Sequence, residues 1–189
     1  MRVIAGLAGG IPLRSPKTDL RPTMDMVRGA IFSSLGEAPV GAAVLDLFAG
    51  TGSLAIEALS RGAQSVVLVE GDRKACAVIA ENLKNTRLEA KVVCTDVFRF
   101  LQTGAGSGFY DLIFADPPYA KNGGARDFAA ELLNDAGLAR ALKDDGMLVL
   151  EVGQRWVLPE CPEWECVRRK RYGSTEALFF RKAAGMRGR

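Results

Sequence analysis

The sequence predicts an α/β fold: a mostly parallel sheet with helices on both faces and an antiparallel pair at one edge. Three observations carry that prediction. From Ala43 onward, apolar runs of strand length alternate with stretches of helical spacing. The runs are continuous in Val, Leu and Ile, as strands buried on both faces require. Two further β-like stretches finish the chain with no helix between them, which asks for an antiparallel pair at the edge.

In chain order, the first twenty residues are rich in Gly and Pro and set two short apolar runs around Gly9-Gly10, the pattern of a hairpin. Thr23 is expected to cap a helix over 24–35, with Asp25 in its positive first turn. Strands are expected at 44–48, 66–70, 92–95, 112–115 and 147–152. Helical spacing occupies 54–61 and 73–83, where Cys76, Ile79, Ala80 and Leu83 share one face. Shorter helices are expected near 127–133 and 138–142, then β-like stretches at 165–171 and 177–181. No repeat interrupts this order, and the short Gly/Ser run at 104–108 is the one low-complexity stretch. One domain accounts for the chain, with 1–41 as an N-terminal extension and 42–189 as its core.

Composition narrows the chemistry. A chain of 189 residues, 48% hydrophobic and 25% charged, can bury a substantial core. That balance excludes disordered, collagen-like and coiled-coil classes. The chain has no histidine, which removes Ser-His-Asp and Cys-His catalysis and His-ligated zinc or haem. Cys76, Cys94, Cys161 and Cys166 form no C-x-x-C pair. Buried reduced thiols are the better reading than a metal site, and no metal is expected. The N-terminus lacks the order of a signal peptide, and no apolar run approaches membrane-spanning length. A cytoplasmic protein with no membrane partner is expected.

Charge is unevenly spread. Residues 1–41 carry five Lys/Arg against three acids and 155–189 carry nine against four, whereas 42–154 carry eleven against fifteen. An acidic body with basic flanks suggests a core whose ends touch a polyanion. The densest stretch, Arg168-Arg169-Lys170-Arg171, serves that role or guards an exposed sheet edge.

The informative segment is Val44-Leu45-Asp46-Leu47-Phe48-Ala49-Gly50-Thr51-Gly52-Ser53-Leu54-Ala55. A buried strand enters a glycine turn that opens a helix, so Gly50 and Gly52 let a ligand approach backbone N–H groups. Glu70 ends the next strand, where a carboxylate can accept both ribose hydroxyls. Gly50-x-Gly52-x-x-Ala55 also fits a dinucleotide fingerprint, and a ligand-free β–α turn fits it too. Asp46, inside the strand, suits an ammonium group better than a pyrophosphate. Asp96 ends the third strand and can receive the exocyclic amine of an adenine. An adenosine bearing an amino-acid arm engages all three acids.

The fourth strand ends in Asp116-Pro117-Pro118-Tyr119. Two prolines hold the backbone extended, so neighbouring carbonyls can point into a site. Asp116 adds an acceptor and Tyr119 a flat face for a base. An exocyclic amine is a poor nucleophile because its lone pair is delocalised into the ring. Acceptors on its hydrogens stabilise the charge that grows as it attacks.

These motifs, in this order, resemble those of S-adenosylmethionine-dependent amino-methyltransferases. Arg21-Pro22-Thr23-Met24-Asp25-Met26-Val27-Arg28, with Glu57-Ala-Leu-Ser-Arg-Gly-Ala63, narrows the resemblance to the bacterial 16S ribosomal RNA guanine-N2-methyltransferases that modify guanine 966. Gly29 departs from the acid expected after that arginine. The resemblance spans nearly the whole chain. It implies a Rossmann-like class I methyltransferase fold, a seven-stranded mostly parallel sheet with an antiparallel final strand and a small N-terminal hairpin and helix extension. By the same resemblance Asp46 and the loop Phe48, Ala49, Gly50, Thr51 and Gly52 hold the methionine end. Glu70 with Gly71 takes the ribose, and Asp96 with Val97 the adenine. Asp116, also next to the cofactor, joins Pro117, Pro118 and Tyr119 in holding the target guanine. Arg21, Thr23 and Arg28 stand near the RNA, with Arg168, Arg169 and Arg171 as a second basic group. The implied cofactor is S-adenosyl-L-methionine, and the implied partner is 16S rRNA in the small ribosomal subunit or its assembly intermediate. A monomer is expected. The rival readings are a DNA or RNA adenine-N6 methyltransferase, an NAD-dependent oxidoreductase and a non-catalytic RNA-binding assembly factor.

Overall fold

The computed structural model describes residues 1–15, 22–119 and 126–186. Seven strands form one sheet: β1 (Ala43–Leu47), β2 (Ser65–Glu70), β3 (Lys91–Cys94), β4 (Tyr110–Ala115), β5 (Leu142–Gly153), β6 (Trp164–Tyr172) and β7 (Thr175–Lys182). Their spatial order is β3-β2-β1-β4-β5-β7-β6. β1 pairs in parallel with β2 and β4, and β4 with β5, whereas β7 runs antiparallel between β5 and β6. Between β1 and β4 the chain reverses the direction in which it adds strands, and that switch opens a crevice at the strands' carboxyl ends.

Strand alternation divides the core into two layers. Val44, Leu112, Phe114, Val149 and Phe179 face α1 (Pro22–Leu35), α2 (Ser53–Ser60) and α3 (Arg73–Thr86). Leu45, Leu47, Ile113, Leu150 and Leu178 face α4 (Val97–Thr103), α5 (Phe128–Leu133) and α6 (Ala136–Ala141). Each fully buried side chain of this size adds roughly 1.5–3 kcal/mol.

The N-terminal hairpin is small. Val3 N–H donates to Ile11 O at 3.0 Å and Gly10 N–H to Val3 O at 2.8 Å, around a single bridge between Arg2 and Pro12. It docks on α2, where Glu57 accepts from the N–H groups of Ile4 (2.7 Å) and Ala5 (3.1 Å) and the Ser60 hydroxyl accepts from that of Ala8.

Three expectations need correction. α1 begins at Pro22, so Thr23 falls inside its first turn and is not its cap. Proline suits a first helical position because its missing N–H is an unpaired one there. The seven-residue α4 was not foreseen, although Val97, Phe100 and Leu101 bury one face and Asp96 caps it, accepting from Arg99 N–H at 3.0 Å. The cysteines are free but not core residues: Cys94 is exposed and the other three are half-buried. Among the described residues no helix is long and apolar enough to cross a membrane.

Candidate active site

β1 delivers Asp46 to the crevice floor with 1% of its surface exposed. Its carboxyl accepts from Ala55 N–H in α2 at 3.2 Å, which ties the strand to the helix that follows the turn. Burial is the main force on Asp46 and raises its pKa from 3.8 to about 8, the Ala55 bond opposes it, and Asp116 and Glu70 add smaller increases.

The turn between them uses left-handed backbone at Phe48, Gly50 and Gly52, with φ of 57°, 55° and 75°. The two glycines serve different ends. A Cβ on Gly50 meets nothing closer than Phe48 O at 3.9 Å, so its outer side is open to a ligand. A Cβ on Gly52 meets Leu68 at 3.0 Å and Ile79 at 3.4 Å. Gly52 therefore lets the turn sink onto the core and does not face the crevice, contrary to the expectation that a ligand approaches there. Phe48 holds its conformation against Phe98 and Phe128, with ring centroids 6.3 and 5.9 Å away.

Glu70, at the end of β2, accepts from Gly50 N–H at 2.8 Å with one oxygen and from Asp72 N–H at 2.8 Å with the other. It fixes the glycine turn and keeps lone pairs for further donors. Gly71 follows it, exposed. Asp96, one strand further out, is exposed and spends one oxygen capping α4, whose first residue Val97 is buried.

On the other side of the switch, Asp116 directly follows β4. Its carboxyl opens to the crevice yet is ringed by protein atoms, and that desolvation raises its pKa from 3.8 to about 6. Pro117 is buried beneath it, and Tyr119 reaches across to within 3.3 Å of the Thr175 hydroxyl on β7. One crevice of about 460 Å³ is lined by Asp46, Phe48, Ala49, Gly50, Thr51, Arg28 and Asp116 through Tyr119. Sequence reasoning missed Glu151, Ser174 and Thr175, which share that lining. Glu151 carried the same signal as Asp46 and Asp116, an acid at the carboxyl end of a buried strand.

The basic residues divide. Arg21 lies outside the described residues, and Thr23 is placed only as part of α1. Arg28 is 3% exposed, bonded to Asp25 at 2.9 Å and to the Arg2 carbonyl. It is a counter-charge behind the crevice acids and not the surface phosphate contact expected of it. Arg168, Arg169 and Arg171 lie on β6, the sheet edge. Arg168 donates to Ser34 O at 2.7 Å and covers the Phe179 ring on the α1 side. Arg169 and Arg171 point to the opposite face and close over Glu176. The second basic group is therefore split, because strand alternation sends Arg168 to one face and Arg169 and Arg171 to the other.

The chain is similar to known proteins over nearly its whole length. The family model described as "Conserved hypothetical protein 95" matches residues 1–181. The putative rRNA methyltransferase YlbH of Bacillus subtilis is 37% identical over 188 residues, 96% of this chain and 99% of that protein. Ribosomal RNA small subunit methyltransferase D of Escherichia coli is 35% identical over 190 residues, 98% of this chain and 92% of that one. The solved structure of the putative methyltransferase yhhF from Escherichia coli superposes with a TM-score of 0.80 at 33% identity, covering 97% of this chain and 98% of its own. The chain therefore belongs to the conserved hypothetical protein 95 family, in the company of methyltransferases of small-subunit ribosomal RNA.

Proposed function

We propose that this protein methylates the exocyclic N2 amine of a guanine in 16S ribosomal RNA, with S-adenosylmethionine as methyl donor. The observation that carries the reading is the convergence of Asp46, the open side of Gly50 and Asp116-Pro117-Pro118-Tyr119 on one crevice.

The residues present fit that cofactor. Asp46 is a buried acid in the crevice lining with Ala55 N–H as its hydrogen-bond donor, and an ammonium group brings it a counter-charge. Glu70 keeps lone pairs for ribose hydroxyls, and Asp96 has one oxygen beyond its capping bond for an adenine amine. When bound, the cofactor supplies a methyl group already activated by its sulfonium, so no metal is needed. Asp116 accepts a hydrogen of the target amine, stabilises the positive charge that develops on its nitrogen and takes up the proton afterwards. Tyr119 offers its ring to the base, and the bond to Thr175 holds that ring in place. RNA is the partner, as part of the small subunit or of an intermediate in its assembly. Arg171 lies on β6 close to the turn into β7, and Ser174 of that turn and Thr175 at the start of β7 line the crevice.

The test is to incubate small subunits from a strain lacking the enzyme with the protein and labelled cofactor, then to identify the labelled nucleoside. N2-methylguanosine is expected. N6-methyladenosine overturns the reading in favour of an adenine methyltransferase, and absence of label on every form of the RNA favours a non-catalytic assembly factor.

A further inference from the structure

Glu151 stands where the mechanism above gives it no work. β4 and β5 pair Ala115 with Leu150, so Asp116, the first residue past β4, stands beside Glu151, which lies within β5. Both share the side of Phe114 and Val149, and Asp46 pairs with Phe114 across β1. Three carboxyls thus face one crevice from three neighbouring strands, with Arg28 behind them.

Their local partners differ. Asp46 has the Ala55 N–H, and one Arg28 nitrogen bonds Asp25 and the Arg2 carbonyl while its buried Nε makes no hydrogen bond among the described residues. Among the described residues no donor bonds to the Glu151 carboxyl. Burial first, then Asp116 and Asp46, raise its pKa, and Arg28 opposes them. Such a group costs stability unless a ligand brings donors to it. Glu151 also lies at the seam between the crevice and a second cavity of about 640 Å³, sharing that seam with Pro117, Pro118 and Tyr119. It therefore stands beside the two prolines proposed to hold the base, at the part of the crevice that continues into the second cavity.

Guanine carries two adjacent donors on its Watson–Crick edge, N1–H and N2–H, which one carboxylate can accept together. Adenine presents a lone pair at N1 in the same place. We propose that Glu151 is the residue that selects guanine, accepting N1–H and one N2 hydrogen while Asp116 accepts the other. This rests on the reading of the target as guanine N2. It gives the site a means of rejecting adenine that Asp116-Pro-Pro-Tyr alone does not contain, since an exocyclic amine is common to both bases.

The probe is 2-aminopurine, which keeps the 2-amino group but has a lone pair at N1. Small subunits are reconstituted with 16S RNA carrying guanine or 2-aminopurine at the mapped target, and kcat/KM is compared. Wild-type protein is expected to prefer guanine by about tenfold or more, the loss typical of one missing bond to a charged acceptor. Glu151→Gln offers an amide donor to N1, so it should lower the guanine rate and raise that of 2-aminopurine until the preference disappears. Glu151→Ala should also lose the preference. Calorimetry should show unchanged cofactor affinity in both variants. A wild-type preference under about twofold overturns the proposal whatever the variants do. So does a preference retained in Glu151→Gln, or a loss of cofactor binding that explains its defect. If wild-type protein forms no N2-methylguanosine at all, it is the proposed function that fails.

Discussion

Arg28 of α1 and Glu57 of α2 lie 3.7 Å apart, both closed to solvent, and tie the N-terminal extension to the wall of the crevice. Glu57 also receives two hairpin N–H groups and the Arg61 guanidinium at 2.7 Å. The segment carrying Asp25 and Arg28 and the one carrying Glu57 and Arg61 meet here as one structural joint. Glu57→Ala leaves the Arg61 guanidinium and two N–H groups without their acceptor and removes the carboxylate beside buried Arg28. It should cost about 3–5 kcal/mol in urea unfolding, and hydrogen exchange at Ile4 and Ala5 should accelerate. Glu57→Gln keeps an acceptor and should cost less.

Asp46 sets a pH dependence that ligand binding should erase. Its folded pKa of about 8 lies above the ordinary 3.8, so between those values the folded state holds a proton that the unfolded state has lost. Stability of the free protein therefore falls as pH rises from about 4 to about 8 and levels off above that. Asp46→Asn still accepts the Ala55 N–H but carries no charge. Thermal melts should show it gaining on wild type as pH rises through that window, while its cofactor affinity collapses. Equal melting shifts at pH 5 and pH 8 contradict this account.

The sheet was legible because strands covered on both faces are nearly continuous in apolar residues: Leu112–Ala115 is apolar throughout, and Val44–Leu47 is broken only by Asp46. The four acids were legible from their places near strand ends: Asp46 lies inside β1, Glu70 closes β2, Asp96 stands two residues past β3 and Asp116 one past β4. Of the four, Asp46 and Asp116 line the crevice. What stayed hidden involves residues with two possible partners. Asp96 read as a ligand acceptor and its capping of α4 went unseen, although a short polar side chain before Val97, Phe100 and Leu101 serves both ends. Arg28 read as a phosphate contact because sequence carries no depth, and only the packing of α1 on α2 shows that it is enclosed. Glu151 escaped because the order of β5 and β7 beside β4, which brings it next to Asp116, is a property of topology.

Asp116 should separate binding from rate. Replacing it with Ala should leave cofactor affinity within about threefold while methylation slows by about a hundredfold or more, because its carboxylate acts on charge that develops only in the transition state. With a pKa of about 6, raised by burial, it is a proton-bearing acid at pH 5 and an acceptor at pH 7.5. The rate should accordingly rise through pH 6 and then level off. Asp116→Asn should remove that rise, and calorimetry alongside rate measurements checks both halves.

The last prediction concerns the edge strand. Arg169 and Arg171 close over Glu176, 1% exposed, and hold its carboxyl below its ordinary pKa of 4.5 despite burial. The stability this cluster adds is present above that ordinary value and lost as pH falls through the lowered one. Removing both arginines strands a buried carboxylate, so an RNA defect in that variant cannot be separated from unfolding. Arg171→Ala leaves Arg169 on Glu176 and removes one charge beside the turn that carries Thr175 to the crevice. It should reduce the salt slope of RNA binding by about 0.7–0.9, the release of one phosphate's counterion. Arg168→Ala should leave the slope unchanged, because that guanidinium is committed to the Ser34 carbonyl and the Phe179 ring. Filter binding across a salt series distinguishes the two. Equal slopes for both variants and wild type mean that β6 only guards the sheet edge, and that the RNA is held from the N-terminal side.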